Sequence, residues 1–231
     1  ILALLIGILF SLPRLFCNET PTASTPLTTL SVDARPASQT VMASTEKAAE
    51  TATPINTSTD PLLLQALPEG VASQILVRKA YVTSYNKETR QPNWVAWQLN
   101  REHTEGEVSR KITNFHEDYD VPVPRARHAD YIHSGWSRGH HCPAGDNKWD
   151  ETAMRESFLM SNISPQHQAL NGGRWNDIEK ACRDWAQRYG SIYIVTGPLF
   201  LNQEHEVIGE NKIAVPEAFW KVVLRLGDRP A

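Results

Sequence analysis

Cysteine is scarce in this chain. Its 231 residues include three, Cys17, Cys142 and Cys182, too few for a disulfide-stapled scaffold, so the fold has to rest on an apolar core. No Cys-x-x-Cys or His-Glu-x-x-His spacing occurs, so the usual sequence signatures of a zinc site are missing. A large excess of one charge is also missing, since 23 Lys and Arg stand against 26 Asp and Glu. That balance argues against coating nucleic acid through a broad basic face and leaves room only for local cationic clamps. No apolar run reaches the roughly 20 residues of a membrane-spanning helix. Ile1 to Phe16 comes nearest, interrupted by Ser11, Pro13 and Arg14.

Residues 1–67 have neither His nor Trp and hold three basic and five acidic side chains; all eight His and all seven Trp follow. The run Ile1 to Phe16 reads as the hydrophobic part of an export signal whose true start, with its Met and basic leader, is missing. Cys17 behind it leaves lipidation, plain cleavage and a retained anchor open. Residues 18–60 are dominated by Thr, Ser, Ala and Pro and bury too little to offset chain entropy, which predicts a disordered tether. The expected organisation is a signal or anchor at 1–17, a linker at 18–64 and a folded domain at 65–231. That domain would be exported, as a secreted, periplasmic or cell-surface lipoprotein, with no membrane domain beyond the signal or lipid anchor.

In the folded part, Tyr81–Tyr85 reads as a strand bounded by the polar turn Asn86–Thr89, and Trp94–Leu99 as its hairpin partner. Residues 101–130, with Arg101, Arg110, Arg125, Arg127 and His128, read as a long ordered loop over one end of the sheet. Asp150–Glu156 looks like a short capped helix. A longer helix is predicted over Arg174–Tyr189, with Ile178, Cys182, Trp185 and Tyr189 on one stripe and Gly190 as the stop. Gly190–Pro198 and Ala218–Leu226 read as buried strands. The chain ends five residues after the second, which suggests a C-terminal truncation.

The stretch Ser137-Arg138-Gly139-His140-His141-Cys142-Pro143 packs Arg, two His and Cys around Gly and Pro. It reads either as a rigid turn presenting a base or as a surface loop with scattered His. Downstream come Ser161–Gln166, Asn171, Glu179 and Arg183. Taken singly, Asn171 could be a helix cap, and Glu179 and Arg183 a surface pair at i, i+4.

Taken in order, residues 76–226 resemble the DNA/RNA non-specific endonucleases of the ββα-metal (His-Me finger) superfamily, which includes secreted bacterial nucleases and mitochondrial endonuclease G. The resemblance rests on Trp94-Val95-Ala96, on Asp130-Tyr131 and Gly135 leading into Arg138-Gly139-His140 with Pro143, on Ser161–Gln166, on Asn171 with Glu179, and on Thr196-Gly197-Pro198. It implies an α+β fold, a central mainly antiparallel sheet with flanking helices and a ββα-metal finger. It also implies metal-dependent hydrolysis of DNA and/or RNA, with Mg²⁺ or Mn²⁺. His140 would be the general base, and Asn171 the direct metal ligand. Glu179 would hold a metal-bound water or assist the leaving group, and Asn162 would orient the site by hydrogen bonding. Arg138 and Arg183 would contact the phosphate, and Arg110 would be a further clamp. The resemblance also implies a homodimer, since family members occur as dimers.

Adjacent residues on an extended segment point to opposite sides, so His141 should be structural or solvent-facing if His140 faces the substrate. Ser137 stands where the family usually has Asp. That departure keeps a catalytically weakened nucleic-acid-binding module as one alternative. A zinc domain using His128, His133, His140, His141 and Cys142 is another. Whether Cys142 and Cys182 pair is open.

Overall fold

A computed structural model of the chain describes residues 60–226 and the two-residue strand β1 (Ala3–Leu4). The remaining elements are β2 (Gln74–Val77), β3 (Val82–Asn86), β4 (Gln91–Asn100), α1 (Arg101–Thr104), β5 (Ser137–His140), α2 (Glu151–Ser157), β6 (Ile163–Gln166), α3 (Asn176–Tyr189), β7 (Ser191–Leu199), β8 (Val207–Ile208), β9 (Ile213–Ala214) and β10 (Ala218–Leu224). The main sheet has the order β1-β10-β7-β4-β3-β2, and every neighbouring pair is antiparallel. The fold is α+β, as expected.

Strand β4 shows why the sheet is buried on both faces. Val95, Trp97 and Leu99 pack with Tyr81, Ile192, Ile194 and Val223 against Cys182 and Ala186 of α3. The alternate residues Trp94 and Ala96 face the other way, onto Val82, Val195 and the segment carrying Leu63, Leu64 and Leu67. Period-two alternation thus sends one set of side chains under the helix and the other under the entering chain. Each large apolar side chain so buried contributes about 1.5–3 kcal/mol. The entering segment is tied down by a bond of 2.7 Å from the Tyr193 hydroxyl to Asp60 Oδ2. The packed chain therefore includes Asp60–Leu64. The apolar run 5–16, Cys17 and the tether up to residue 59 lie outside the described residues.

The predicted elements are present with shifted ends. The hairpin partner is longer, because Gln91 is held by its side chain on Ala214 O at 2.6 Å. Residues 101–130 form short turns, Arg110–Ile112 and His128–Tyr131 among them. The predicted helix over 174–189 starts at Asn176, behind a wide helical turn, Leu170–Trp175, whose Gly173 (φ −107°, ψ −112°) has left helical geometry. Its buried stripe holds Cys182 and Ala186, while Tyr189 is 40% exposed. The stripe turns away there, and Arg225 lies over the Tyr189 ring at 4.3 Å.

Strands β5 and β6 make a separate antiparallel pair, with Arg138 opposite Pro165 and His140 opposite Ile163. The wide turn and α3 follow directly. This strand pair and helix frame the cleft where the predicted site residues meet.

Candidate active site

Between β5, the Leu170–Trp175 turn, the first half of α3 and the loop after α1 lies a cleft of about 770 Å³. Arg110, Arg138, His140, Asn171, Glu179 and Arg183 all line it. These residues span more than 70 positions of sequence. Asn162 is the one predicted site residue that does not reach the cleft.

Close backbone approach builds the β5–β6 pair. A methyl group on Gly139 would sit 2.4 Å from Gln166 Oε1 and 2.7 Å from Gln166 Cβ, so glycine is required for steric reasons at this position. Asn162, wholly buried, anchors the next turn. Its Oδ1 accepts from Cys142 N at 2.9 Å, and its Nδ2 donates to Cys142 O at 2.9 Å and to Ser157 O at 2.8 Å. Asn162 thus fixes the loop behind His140 rather than facing the cleft.

His140 and His141 point to opposite sides. His141 is in the core, with Nε2 2.7 Å from Ser164 Oγ, and burial together with Lys221 and His140 lowers its pKa to about 3. The His140 ring opens on the cleft between Phe115 and Phe158. Burial, then the charge of Arg110, lowers its pKa to about 3, so the free imidazole is neutral near pH 7.

Asn171 sits inside the wide turn, its backbone N–H donating to His167 O at 2.9 Å. It is not the helix cap, a position that falls at Trp175. Burial raises Glu179 to about 7; Asp146 adds to the rise, while Lys221, Arg183 and Arg110 oppose it. Asn171 and Glu179 put an amide oxygen and a carboxylate on one wall, with no thiolate among the cleft-lining residues. A few hard oxygen donors suit Mg²⁺, which keeps most of its waters. No three His, Cys, Asp or Glu side chains converge as a metal-holding group among the described residues. His141 and Cys142, two of the side chains considered for zinc, are turned into the core.

Arg183 meets a residue to which sequence reasoning assigned no role. Its Nη1 bonds Asp146 Oδ1 at 2.9 Å, while the other oxygen of the buried Asp146 accepts from Trp97 Nε1 at 3.1 Å. Burial raises Asp146 and the Arg183 charge restrains the rise. Lys221 on β10 was also missed. It is 4% exposed and lies over the rings of Trp97 (5.4 Å) and Trp175 (4.5 Å). Its signal was a lone cation inside the apolar strand Phe219–Leu224. Cys142 and Cys182 are free thiols in one core cluster. The Ser137 hydroxyl donates to Gln168 Oε1, linking β5 to the segment that leads into the Asn171 turn.

Known proteins resemble the chain across this whole region. A mitochondrial nuclease EXOG of Danio rerio is 40% identical over 158 residues, covering 64% of this chain and 46% of the relative. A mitochondrial endonuclease G of Bos taurus is 40% identical, covering 67% and 55%. Nuclease C1 of Cunninghamella echinulata var. echinulata is 37% identical, covering 70% and 69%. The chain spans about half the length of the mitochondrial relatives. In the crystal structure of the EndoG/EndoGI complex, a chain 33% identical superposes with a TM-score of 0.62, covering 64% of this chain and 66% of its own. The expectation of an exported, secreted, periplasmic or cell-surface lipoprotein is corrected by these relatives, which include mitochondrial nucleases. The apolar run was read as a secretory signal on hydropathy alone, and hydropathy carries no address. The family model for DNA/RNA non-specific endonucleases matches residues 58–230, and the chain belongs to that family.

Proposed function

We propose that this domain hydrolyses phosphodiester bonds in DNA and/or RNA without sequence preference, using Mg²⁺, with Mn²⁺ as a substitute. The observation that supports this reading is the gathering of His140, Asn171, Glu179, Arg110 and Arg138 in one cleft. His140 takes a proton from water as the water oxygen bonds to phosphorus. The P–O3′ bond then breaks and the leaving oxygen is protonated. Held at about 3, the imidazole of the resting site is neutral and free to accept, but weakly basic. An anionic phosphate beside Arg110 cancels the charge that helps depress His140, so binding raises the basicity of His140 where it is needed.

Glu179, raised to about 7 by burial before a metal binds, would hold a water of the metal as carboxylate or give a proton to the leaving oxygen as acid. Asn171 and Glu179 would hold the metal, Glu179 through water, and the bound ion supplies positive charge for the pentacovalent oxygens and the leaving oxygen. Arg138 and Arg110 take phosphate oxygens. Arg183, already paired with Asp146, contributes a partly neutralised contact.

Plasmid nicking by the full chain with Mg²⁺, with EDTA and with His140→Ala tests the proposal. Cleavage that needs metal and is lost in the variant supports it. Cleavage indifferent to His140→Ala refutes it, and oligonucleotide binding without cleavage makes the domain a binding module.

A further inference from the structure

His140, Arg110 and Arg138 share a support that no hydrogen bond supplies. The His140 ring lies edge-on to Phe158 with centroids 4.9 Å apart, and tilted against Phe115 at 5.2 Å. The Arg138 guanidinium lies over Phe115 at 5.0 Å and that of Arg110 over Phe158 at 5.5 Å. The two phenyl rings touch each other at 5.0 Å. The segments that carry them are tied as well, since His116 N, next to Phe115, donates to Phe158 O, and Met160 N donates to His116 O.

Resting on the nuclease reading, we propose that Phe115 and Phe158 are positioning residues of this site. They form a paired aromatic seat that aims the base and holds two phosphate-binding guanidiniums. His140 Nε2 and Arg138 Nε are buried without a hydrogen-bond partner, so ring packing orients these groups where hydrogen bonds do not. A catalytic base usually needs a third group to hold it, and here that group is apolar.

The seat also preserves charge. Arg183 is neutralised by a carboxylate, whereas among the described residues Arg110 and Arg138 have no ion-pair partner. An aromatic face attracts a cation through its quadrupole and leaves the charge intact. An arriving phosphate therefore has no internal anion to displace.

The test compares the full chain with Phe115→Leu, Phe115→Tyr and Phe158→Leu, alone and with Arg138→Ala. It measures kcat and KM with Mg²⁺, the Kd of a fluorescein-labelled oligonucleotide in EDTA, and thermal melting. Phe115→Leu is expected to raise KM and Kd about tenfold, equivalent to about 1.4 kcal/mol, and to lower kcat. Phe115→Tyr, which keeps the ring, should stay within about twofold of the parent. Added to Arg138→Ala, Phe115→Leu should change Kd by less than about twofold, because the cation it supports is gone. Phe158→Leu should lower kcat more than its effect on Kd.

Unchanged kcat, KM and Kd in Phe115→Leu overturn the proposal. So does an equal loss in Phe115→Tyr, full additivity with Arg138→Ala, or a loss explained wholly by a lower melting temperature. A parent chain that neither cleaves nor binds removes the nuclease reading and this inference with it. An active parent indifferent to Phe115→Leu removes the inference alone.

Discussion

Replacing Gly139 with alanine tests whether close approach between β5 and β6 aims the base. The new methyl would lie 2.4 Å from Gln166 Oε1, 2.7 Å from its Cβ and 2.9 Å from its Cδ. Gln166 is buried, so its side chain has no free direction in which to swing. The strands must separate instead, and overpacking of this kind costs about 1–3 kcal/mol. For a domain of this size that lowers Tm by about 2–4 °C per kcal/mol. Because His140 is the next residue, a shift approaching 1 Å should also cost up to about 100-fold in kcat. Gly139→Ala/Gln166→Ala removes the Oε1 and Cδ clashes and keeps the one at Cβ, so it should recover only part of both losses. Melting curves and single-turnover cleavage of a labelled oligonucleotide measure the two effects. A Gly139→Ala chain with parental Tm and rate would refute the argument.

Other substitutions separate the remaining roles. Because His141 stays neutral in the fold while the unfolded chain binds a proton below about 6.5, its stabilising contribution is complete above that pH and lost as pH falls toward about 3. At pH 5 the loss is about 2 kcal/mol, and His141→Gln should flatten denaturant-measured stability between pH 7 and pH 5. Asp146→Asn leaves Arg183 unpaired with 21% of its side chain exposed. A loss of about 3 kcal/mol in chemical denaturation, the low end for a broken buried pair, is the expected outcome. Arg110→Ala removes a positive charge that depresses His140, so the acid limb of the kcat/KM profile should move to higher pH, and an unmoved limb would show that Arg110 does not act on the base.

The parts of the site legible in the sequence were those that the family resemblance set in order, since each residue alone had an ordinary reading. Arg138, His140, Asn171 and Glu179 carry reactive groups in a recognisable order, and Gly139 between them announces a tight approach. Strand β4 was readable because Trp94–Leu99 is a short, almost wholly apolar run. The wide turn at Leu170–Trp175 was hidden because Arg174 and Trp175 continue the helical pattern, while Gly173, which breaks it, follows a second glycine that resembles an ordinary linker. Phe115 gave no signal, since a lone phenylalanine in a polar loop looks incidental until a fold brings Phe158 beside it. Asn162, expected to orient the site by hydrogen bonding, bonds the loop behind His140 from outside the cleft. An amide suits a catalytic pocket and a buried backbone clamp equally well, and only its neighbours decide which it serves.

The pairing of Arg183 with Asp146 reaches beyond the cleft, into how the protein would travel along a polyanion. Each unneutralised cation that meets a phosphate of duplex DNA releases nearly one condensed counterion. Arg110, Arg138 and Lys148 line the cleft, and none has an ion-pair partner among the described residues. With Arg183 partly neutralised by Asp146, the other three contacts give log K a slope of about −3 against log salt. Binding to duplex DNA under the proposed function should therefore weaken about tenfold for each roughly twofold rise in salt.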